Sequence, residues 1–490
     1  MLKLIKISSR LSLSVITGTA ASILRIKLYA IFLGPVGFGI ISQLYNFFLL
    51  FTSVTNLGVP VSTTSEISKL HSEGTEESES KIAYYFRYIT LRILLLSVVL
   101  SVLVILFSGY ISDFLVDDGA FYYFLIIIFI SAPFTILYSI MEAFLRSFKR
   151  INTIVNISVI TNIASILILI PLVYFWNMTG VGIYLLVFGI LPMLLFIIFC
   201  KDIIKKYIKR TSFLPSSEEK SLIFKVGLIS LSSSLIHQGI IILIRKILIS
   251  EYGYEQNGLY QSVLSVSITY FSIIYIFLTN YSLPKLAECS DNDAINSELS
   301  NNLRFLLLII TPMMLIFLGY RDILVSLLFS KNFSGTTSLF VPQFIGDLFR
   351  VGAALFGLWL IPRRKIKQII IIDVIFNTIF ISSVYIFVAI LNMPLIYVSY
   401  AYAMSFGMHF LMYFVYSRNS IGYSANRIIT LTFLYTILSL TAVSYLSNIN
   451  RELSYYATPF IIVIWFLLSV NKEEMYKSKK MIYDYINKYK

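Results

Sequence analysis

The sequence predicts an all-α polytopic membrane protein. It reads as about 14 transmembrane helices: two six-helix lobes related by a parallel repeat, plus two C-terminal helices. Three observations predict this. Of 490 residues, 58% are hydrophobic and only 13% charged, with a mean hydropathy of +0.83. A soluble chain of this length could not hide so much apolar surface. The apolar residues come in runs of roughly 20, the length that spans a bilayer. The basic residues fall in alternate loops, as they do in polytopic proteins.

The fourteen runs cover residues 11–33, 38–62, 86–107, 120–145, 153–176, 179–200, 225–250, 258–284, 304–319, 338–361, 367–391, 394–417, 428–447 and 455–470. The ninth and fourteenth are short, and several others are interrupted by Gly or Pro. With the N-terminus in the cytoplasm, 31 of the 39 Lys and Arg lie on inside segments, counting Arg87 and Arg92 at the mouth of the third run. The richest segment is "KDIIKKYIKRTSFLPSSEEKSLIFK" (201–225), with seven. The outside loops hold Arg321, Lys331 and Arg451. This asymmetry assigns both termini to the cytoplasm. The opening "MLKLIKISSRLSLSVITGTAASILRIKLYAIFL" also begins like a cleaved signal peptide. Its apolar stretch runs on past roughly 20 residues and carries two charges, which favours a retained helix. The formal charge of +14 is spread over loops, so no nucleic-acid partner is expected. The acidic run "HSEGTEESESK" (71–81) reads as a solvated loop, and "YRDILVSLLFSKNF" (320–333) as an amphipathic helix on the outer surface. The tail "NKEEMYKSKKMIYDYINKYK" reads as a solvated or surface-lying helix.

The chain repeats itself. "SFKRINTIVNISVITN" (147–162) matches "PRRKIKQIIIIDVIFN" (362–377), and Asn177-Met178 falls on Asn392-Met393 at the same offset of 215. "GYISDFL" (109–115) resembles "GYRDILV" (319–325). Arg25 falls on Arg245, and Gly39-Ile40 on Gly258-Leu259. The shared order of these weak matches predicts two parallel halves meeting at a cleft near the membrane middle. The expected organisation is an N-terminal lobe over 1–212, a C-terminal lobe over 213–420, and two appended helices with a basic tail over 421–490.

Five cations lie within the spans: Arg25, Lys27, Arg245, Lys246 and Arg350. A charge in hydrocarbon costs about 2.5–3.5 kcal/mol on insertion scales, so each needs a reason. Arg25 and Lys27 are two residues apart, roughly 200° around a helix, and cannot face the same way. At least one is expected to line a central cavity while the other can snorkel. Arg245 and Lys246 lie nearer the outer interface, where snorkelling competes with a cavity role. Arg245 is preferred because it occupies the place of Arg25 in the repeat. Asp347 and Arg350 are spaced i, i+3 and can pair on one helix face. Such a pair is either structural or opens when substrate or a coupling ion arrives. Ala132 and Thr135 stand at the corresponding positions of the first half, so the fold does not require it. Glu142 and Arg146 are expected to form an i, i+4 surface pair. Asp373 lies one to two turns beyond "RRKIK". His237 and Gln238 sit mid-span, able to bond a sugar or to pack.

No P-loop, HExxH, CxxC or supported catalytic triad is present. Two cysteines, Cys200 and Cys289, make neither a disulfide framework nor a metal site, and His71, His237 and His409 lie far apart. No catalytic residue, metal or cofactor is therefore expected, and an enzyme is disfavoured.

Three stretches carry a family resemblance: "KLYAIFLGPVGFGIISQLYNF" (27–47), "GYEQNGLYQSVLSVSITYFSIIYIFLTNYSLPKL" (253–286) and "FIGDLFRVGAALFGLWLIPRRK" (344–365). Together they resemble the MOP (MATE-like) superfamily of exporters and lipid-linked oligosaccharide flippases. Within it the chain is similar to the Wzx-type O-antigen translocases, particularly the branch handling enterobacterial common antigen. The resemblance implies a multi-pass protein of the bacterial inner membrane, acting in lipopolysaccharide biosynthesis. Its implied substrate is an undecaprenyl-diphosphate-linked oligosaccharide, an O-antigen or related repeat unit, moved from the cytoplasmic to the periplasmic leaflet by alternating access. A polysaccharide polymerase and a chain-length regulator are the implied partners. Lys27, which matches the family motif, Arg25, Arg245, Lys246 and Arg350 become candidates for a cationic substrate cavity, with Asp347 for coupling or ion pairing. The chemistry is sensible, because a diphosphate cannot cross hydrocarbon unaided and cations in a low-dielectric site bond it strongly. A drug or cation exporter of the same superfamily would want intramembrane carboxylates, and here Asp347 is the chief deep acid. A membrane glycosyltransferase or polymerase would want a large outer loop, and none here reaches about 20 residues. A non-transporting scaffold for polysaccharide assembly is the remaining alternative.

Overall fold

A backbone in hydrocarbon has no hydrogen-bond partner but itself, so apolar runs of this length become helices. A computed structural model describes residues 2–209 and 217–470, without the side chains of 2–13, 61, 208–235 and 237. In chain order the helices of the first half are α1 (Leu2–Asn56), α2 (Val59–Glu73), α3 (Glu76–Leu106), α4 (Ser108–Val116), α5 (Tyr122–Ser147), α6 (Ile151–Phe199) and α7 (Lys201–Lys209). Then follow α8 (Ser217–Phe277), α9 (Leu283–Glu288), α10 (Asn292–Gly319), α11 (Arg321–Leu328), α12 (Phe340–Leu358), α13 (Ile366–Tyr385), α14 (Ile396–Ile421), α15 (Arg427–Ile449) and α16 (Arg451–Ser469). No strand occurs among the described residues.

Ten helices among the described residues are long and apolar enough to cross a membrane. Three of them are two helices joined at a kink: α1 at Gly34, α6 at Asn177 and α8 at Gly253. With these divided and the 26-residue α14 added, the fourteen expected segments are accounted for. The backbone also bears out the repeat. Gly34 (φ 63°) matches Gly253 (φ 81°), Lys149 (φ 55°) matches Arg364 (φ 54°), and Asn177 (φ 45°) matches Asn392 (φ 49°). Positive φ is uncommon outside glycine. Finding it at equivalent points of both halves marks one chain path used twice.

The chain forms two compact units, Met1–Gln261 with Leu328–Asn332, and Ser262–Leu327 with Phe333–Lys490. In the first, α5 packs on α2, α3 and α6, and α1 on α6. Phe129 anchors that core, with the rings of Phe48 and Phe51 meeting it edge-on at 5.5 and 4.8 Å. In the second, α12 and α13 pack on α14, while α10 holds α15 and α16. The two appended helices are tied to α10 by polar contacts. The buried Arg304 donates to the Thr432 hydroxyl at 2.8 Å and to the Ser469 carbonyl at 2.6 Å, in the last turn of α16. A cation there also complements the helix dipole.

The acidic run 71–81 is not a loop. α2 continues to Glu73, Gly74 ends it in the left-handed region, and α3 begins at Glu76. Thr75 caps α3 by accepting from the Ser78 amide, and the Ser78 hydroxyl accepts from the Thr75 amide. Glu76, Glu77 and Glu79 then sit in the first turn, where acids suit the dipole. Thr-x-x-Ser is a weak form of the Ser/Thr-x-x-Glu/Gln signature, so the sequence pattern reads as solvated loop. The expected helix in 320–333 forms as α11, although Arg321 is buried and donates to Asn448. The tail 471–490 lies outside the described residues, as does the His237 side chain.

Candidate functional site

Asp347 and Arg350 lie on α12, in the second unit. Asp347 is fully buried. Its Oδ2 accepts from the Ser267 hydroxyl at 2.7 Å and from the Tyr270 hydroxyl. Its Oδ1 accepts from the Tyr402 hydroxyl at 2.7 Å and faces the Arg350 guanidinium at 3.9 Å. Arg350 lies over the Phe271 ring at 3.9 Å and near Phe406 at 5.7 Å, and donates to the Tyr402 hydroxyl at 3.3 Å. The expected i, i+3 pair thus exists, inside a cage drawn from α8, α12 and α14. A carboxylate offers about four lone-pair sites, and here four donors face them. Gly346 lets the helices approach this closely, since a Cβ there would meet the Tyr402 ring at 2.4 Å.

A second acidic cluster lies nearby in sequence. Asp373 on α13 accepts from the Tyr413 hydroxyl at 3.2 Å and pairs with His409 Nε2 at 3.2 Å. The His409 ring stacks on Phe376 at 4.2 Å. The position of Asp373 beside a basic stretch gives no sign of these partners on α14.

In the first unit, Arg25 turns inward from α1. It donates to the Ser22 hydroxyl at 2.8 Å and the Tyr184 hydroxyl at 3.3 Å, and lies over the Phe188 ring at 5.0 Å. Lys27 is half-buried on the same helix. Arg245 does not snorkel. It is 3% exposed and donates to the Ser42 hydroxyl at 2.7 Å. Lys246 pairs with Asp117, which also accepts from the Ser250 hydroxyl at 2.8 Å. Gln238 donates to Ser53 at 3.1 Å, and Glu142 pairs with Arg146 at 2.5 Å as expected. The hydroxyl partners Ser22, Tyr184 and Ser42 carry no sequence signal, because serine and tyrosine are common on every span.

Around Arg245 the backbones close in. Gly258 of α8 lies so near α1 that a Cβ would stand 1.8 Å from the Pro35 carbonyl oxygen. A Cβ on Gly39 would stand 2.4 Å from the Tyr254 carbonyl oxygen. The Asn257 amide donates to the Gly39 carbonyl at 3.0 Å, and the Gln43 amide to those of Ile242 and Leu115 at 3.0 and 3.3 Å. The two glycines that match in the repeat are therefore also the crossing point of α1 and α8.

Partial burial would raise the Asp117 carboxyl, but its bonds from Lys246 and Ser250 and the lysine charge outweigh this and hold it below the usual carboxylate range. A carboxyl lowered on folding stabilises the fold above its unfolded value of about 3.9 and loses that contribution as pH falls through the depressed value. Asp117 is partly exposed, so the effect is modest. Asp117→Asn is expected to lower the thermal midpoint slightly at pH 7 and to narrow its gap from wild type below pH 4. An unchanged gap across that range would count against the pair.

Among the described residues the chain is all-helical, repeated in parallel and kinked at matched points, with cations inside its spans. It superposes on the inward-facing conformation of a multidrug resistance MATE transporter with a TM-score of 0.72 at 14% identity, covering 85% of this chain and 98% of that one. It superposes on the lipid II flippase MurJ, in an inward closed conformation, with a TM-score of 0.70 at 15% identity, covering 97% of this chain and 100% of that one. At such identities the likeness is one of fold. The chain belongs to the polysaccharide biosynthesis protein family, which it matches over residues 28–338. Lipid III flippases of Escherichia coli (strain K12) and Shigella flexneri are 28% identical over 193 residues, 39% of this chain and 46% of theirs. The match thus spans just under half the length of these curated relatives.

Proposed function

We propose that this chain is a flippase for a lipid-linked oligosaccharide. One observation carries the reading: among the described residues, Arg25 and Arg245 sit within spans on hydroxyl partners, with no carboxylate in ion-pair reach. Their charge is left for an anion, which suits a diphosphate headgroup and not a cationic drug. Membership of a polysaccharide-biosynthesis family and the lipid III flippase relatives favour an undecaprenyl-diphosphate carrier. The finer terms of the proposal are an O-antigen or related repeat unit, moved from the cytoplasmic to the periplasmic leaflet of a bacterial inner membrane. Both termini then face the cytoplasm, and the product passes to a polymerase and its chain-length regulator. Lobes 1–212 and 213–420 alternate access, with 421–490 appended. Lys27, Arg25, Arg245, Lys246 and Arg350 form the cationic path, and Asp347 positions Arg350 or couples its movement.

Reconstitution tests this. Proteoliposomes carrying the chain should exchange a fluorescent undecaprenyl-diphosphate oligosaccharide between leaflets faster than empty liposomes. Arg25→Ala and Arg350→Ala should each slow that exchange about tenfold or more, the worth of one charge-assisted hydrogen bond. Transport of a cationic amphiphile without movement of the glycolipid would establish the exporter reading instead.

A further inference from the structure

The first unit contains a partly open cavity of about 430 Å³ lined by α1, α5 and α6. This falls in the lower part of the roughly 300–1,000 Å³ typical of small-molecule sites, room for a sugar or two but not a long glycan. We propose that it binds a neutral sugar ring of the transported glycan, a subsite that rests on the flippase reading above.

The lining has the chemistry of a carbohydrate site. Tyr45, Tyr138 and Phe188 supply aromatic faces, on which the C–H face of a pyranose can lie. Thr135, Ser158, Thr161 and Asn162 supply hydroxyls and an amide. Thr161 is 5% exposed and, among the described residues, its hydroxyl has no hydrogen-bond partner. A buried, unmatched hydroxyl is costly, and a ligand or an ordered water in the cavity can satisfy it. Ser158 and Asn162 are linked by a bond of 3.4 Å, and Ser158 also accepts from Ser14 at 2.8 Å. These groups can both donate to and accept from sugar hydroxyls.

The charges choose between ligand classes. Glu142 is the one carboxylate on the wall, and it is bonded to Arg146 by two nitrogens at 2.5 and 3.2 Å. The pair cancels, so the cavity offers no free anion to a cationic drug and no free cation to a phosphate. The cation Arg25 lies outside the lining, on Phe188. Phe188 thus belongs both to the cavity lining and to the surroundings of a guanidinium able to meet the diphosphate that carries the sugar. The repeat shows that the cavity is not a demand of the fold. At the offset of 215, Thr135 and Ser158 become Arg350 and Asp373, whose side chains pack against aromatic rings and hydroxyls.

Two purified probes test the proposal: undecaprenyl diphosphate, and the same lipid carrying the oligosaccharide extracted from the producing strain. Affinities are measured for the full chain in detergent. The wild type should bind the glycosylated lipid about tenfold tighter or better. Thr161→Val and Asn162→Ala should each remove about three- to tenfold of that advantage, the worth of a neutral hydrogen bond. Affinity for undecaprenyl diphosphate should stay within about twofold in both. Thr161→Val is isosteric and breaks no bond in the protein, so its thermal midpoint should not fall. Wild type that binds both lipids equally overturns the sugar subsite, as does an advantage that survives both substitutions. Those results leave the flippase reading standing. Wild type that binds neither lipid overturns both.

Discussion

Asp347→Ala is expected to leave little correctly folded protein in the membrane, and what remains should melt well below wild type. The carboxylate is fully buried and holds Ser267, Tyr270, Tyr402 and Arg350 at once. Removing one member of a buried ion pair costs about 3–5 kcal/mol, because the other charge is left uncompensated. Three hydroxyls also lose their acceptor, at about 1–3 kcal/mol for each that stays buried and unsatisfied. These losses share one cage and do not add. Arg350 keeps its place over Phe271 and is partly exposed, so the pair itself sits at the lower end. Asp347→Asn keeps an acceptor and should fall between wild type and alanine. Asp347→Ala combined with Arg350→Met should regain part of the loss, since no unpaired charge remains. Melting curves in detergent decide this, and an alanine variant as stable as wild type would end the idea of Asp347 as an anchor. The same variants address coupling. If the carboxylate with four donors around it only positions Arg350, transport by Asp347→Asn should be slower with any dependence on a proton gradient unchanged. Loss of that dependence would instead make Asp347 the carrier.

Gly258→Ala should be nearly as damaging, through shape alone. The added methyl would lie 1.8 Å from the Pro35 oxygen, 2.7 Å from its carbonyl carbon and 3.1 Å from the Gly39 nitrogen. All three are backbone atoms, so no rotamer change relieves the clash and the helices must part. Overpacking costs about 1–3 kcal/mol where side chains can yield, and more where they cannot. Separation would also break the bond from Asn257 to Gly39. Two other glycines of α8 are the controls. Gly253 has φ 81° but open space around its Cβ position, so Gly253→Ala should cost only backbone strain of about 1–3 kcal/mol. Gly239 is helical with nothing nearby, so Gly239→Ala should be neutral or stabilise by up to about 1 kcal/mol. If Gly258→Ala melts with Gly239→Ala, α1 and α8 do not cross as closely as described.

The apolar spans, the parallel repeat and the charges within spans are legible in the order of residues alone, while the helix ends that meet at 71–81 are not. The legible features follow from one-dimensional quantities: the length of an apolar run, the offset between matching segments, and the place of a lysine or arginine in a run. The sequence also made Asp347 and Arg350 neighbours, because i, i+3 geometry is local to a helix. What these charges touch is set by packing between distant segments. Tyr402 reaches Asp347 across 55 residues, Tyr270 across 77 and Ser267 across 80. Tyr184 reaches Arg25 across 159, and Ser42 reaches Arg245 across 203. No periodicity selects one serine or tyrosine among the many that face other helices. The cavity at Thr161 was hidden for the same reason, since it is the gap left where three helices meet. A void belongs to no residue and leaves no mark on a sequence until packing encloses it.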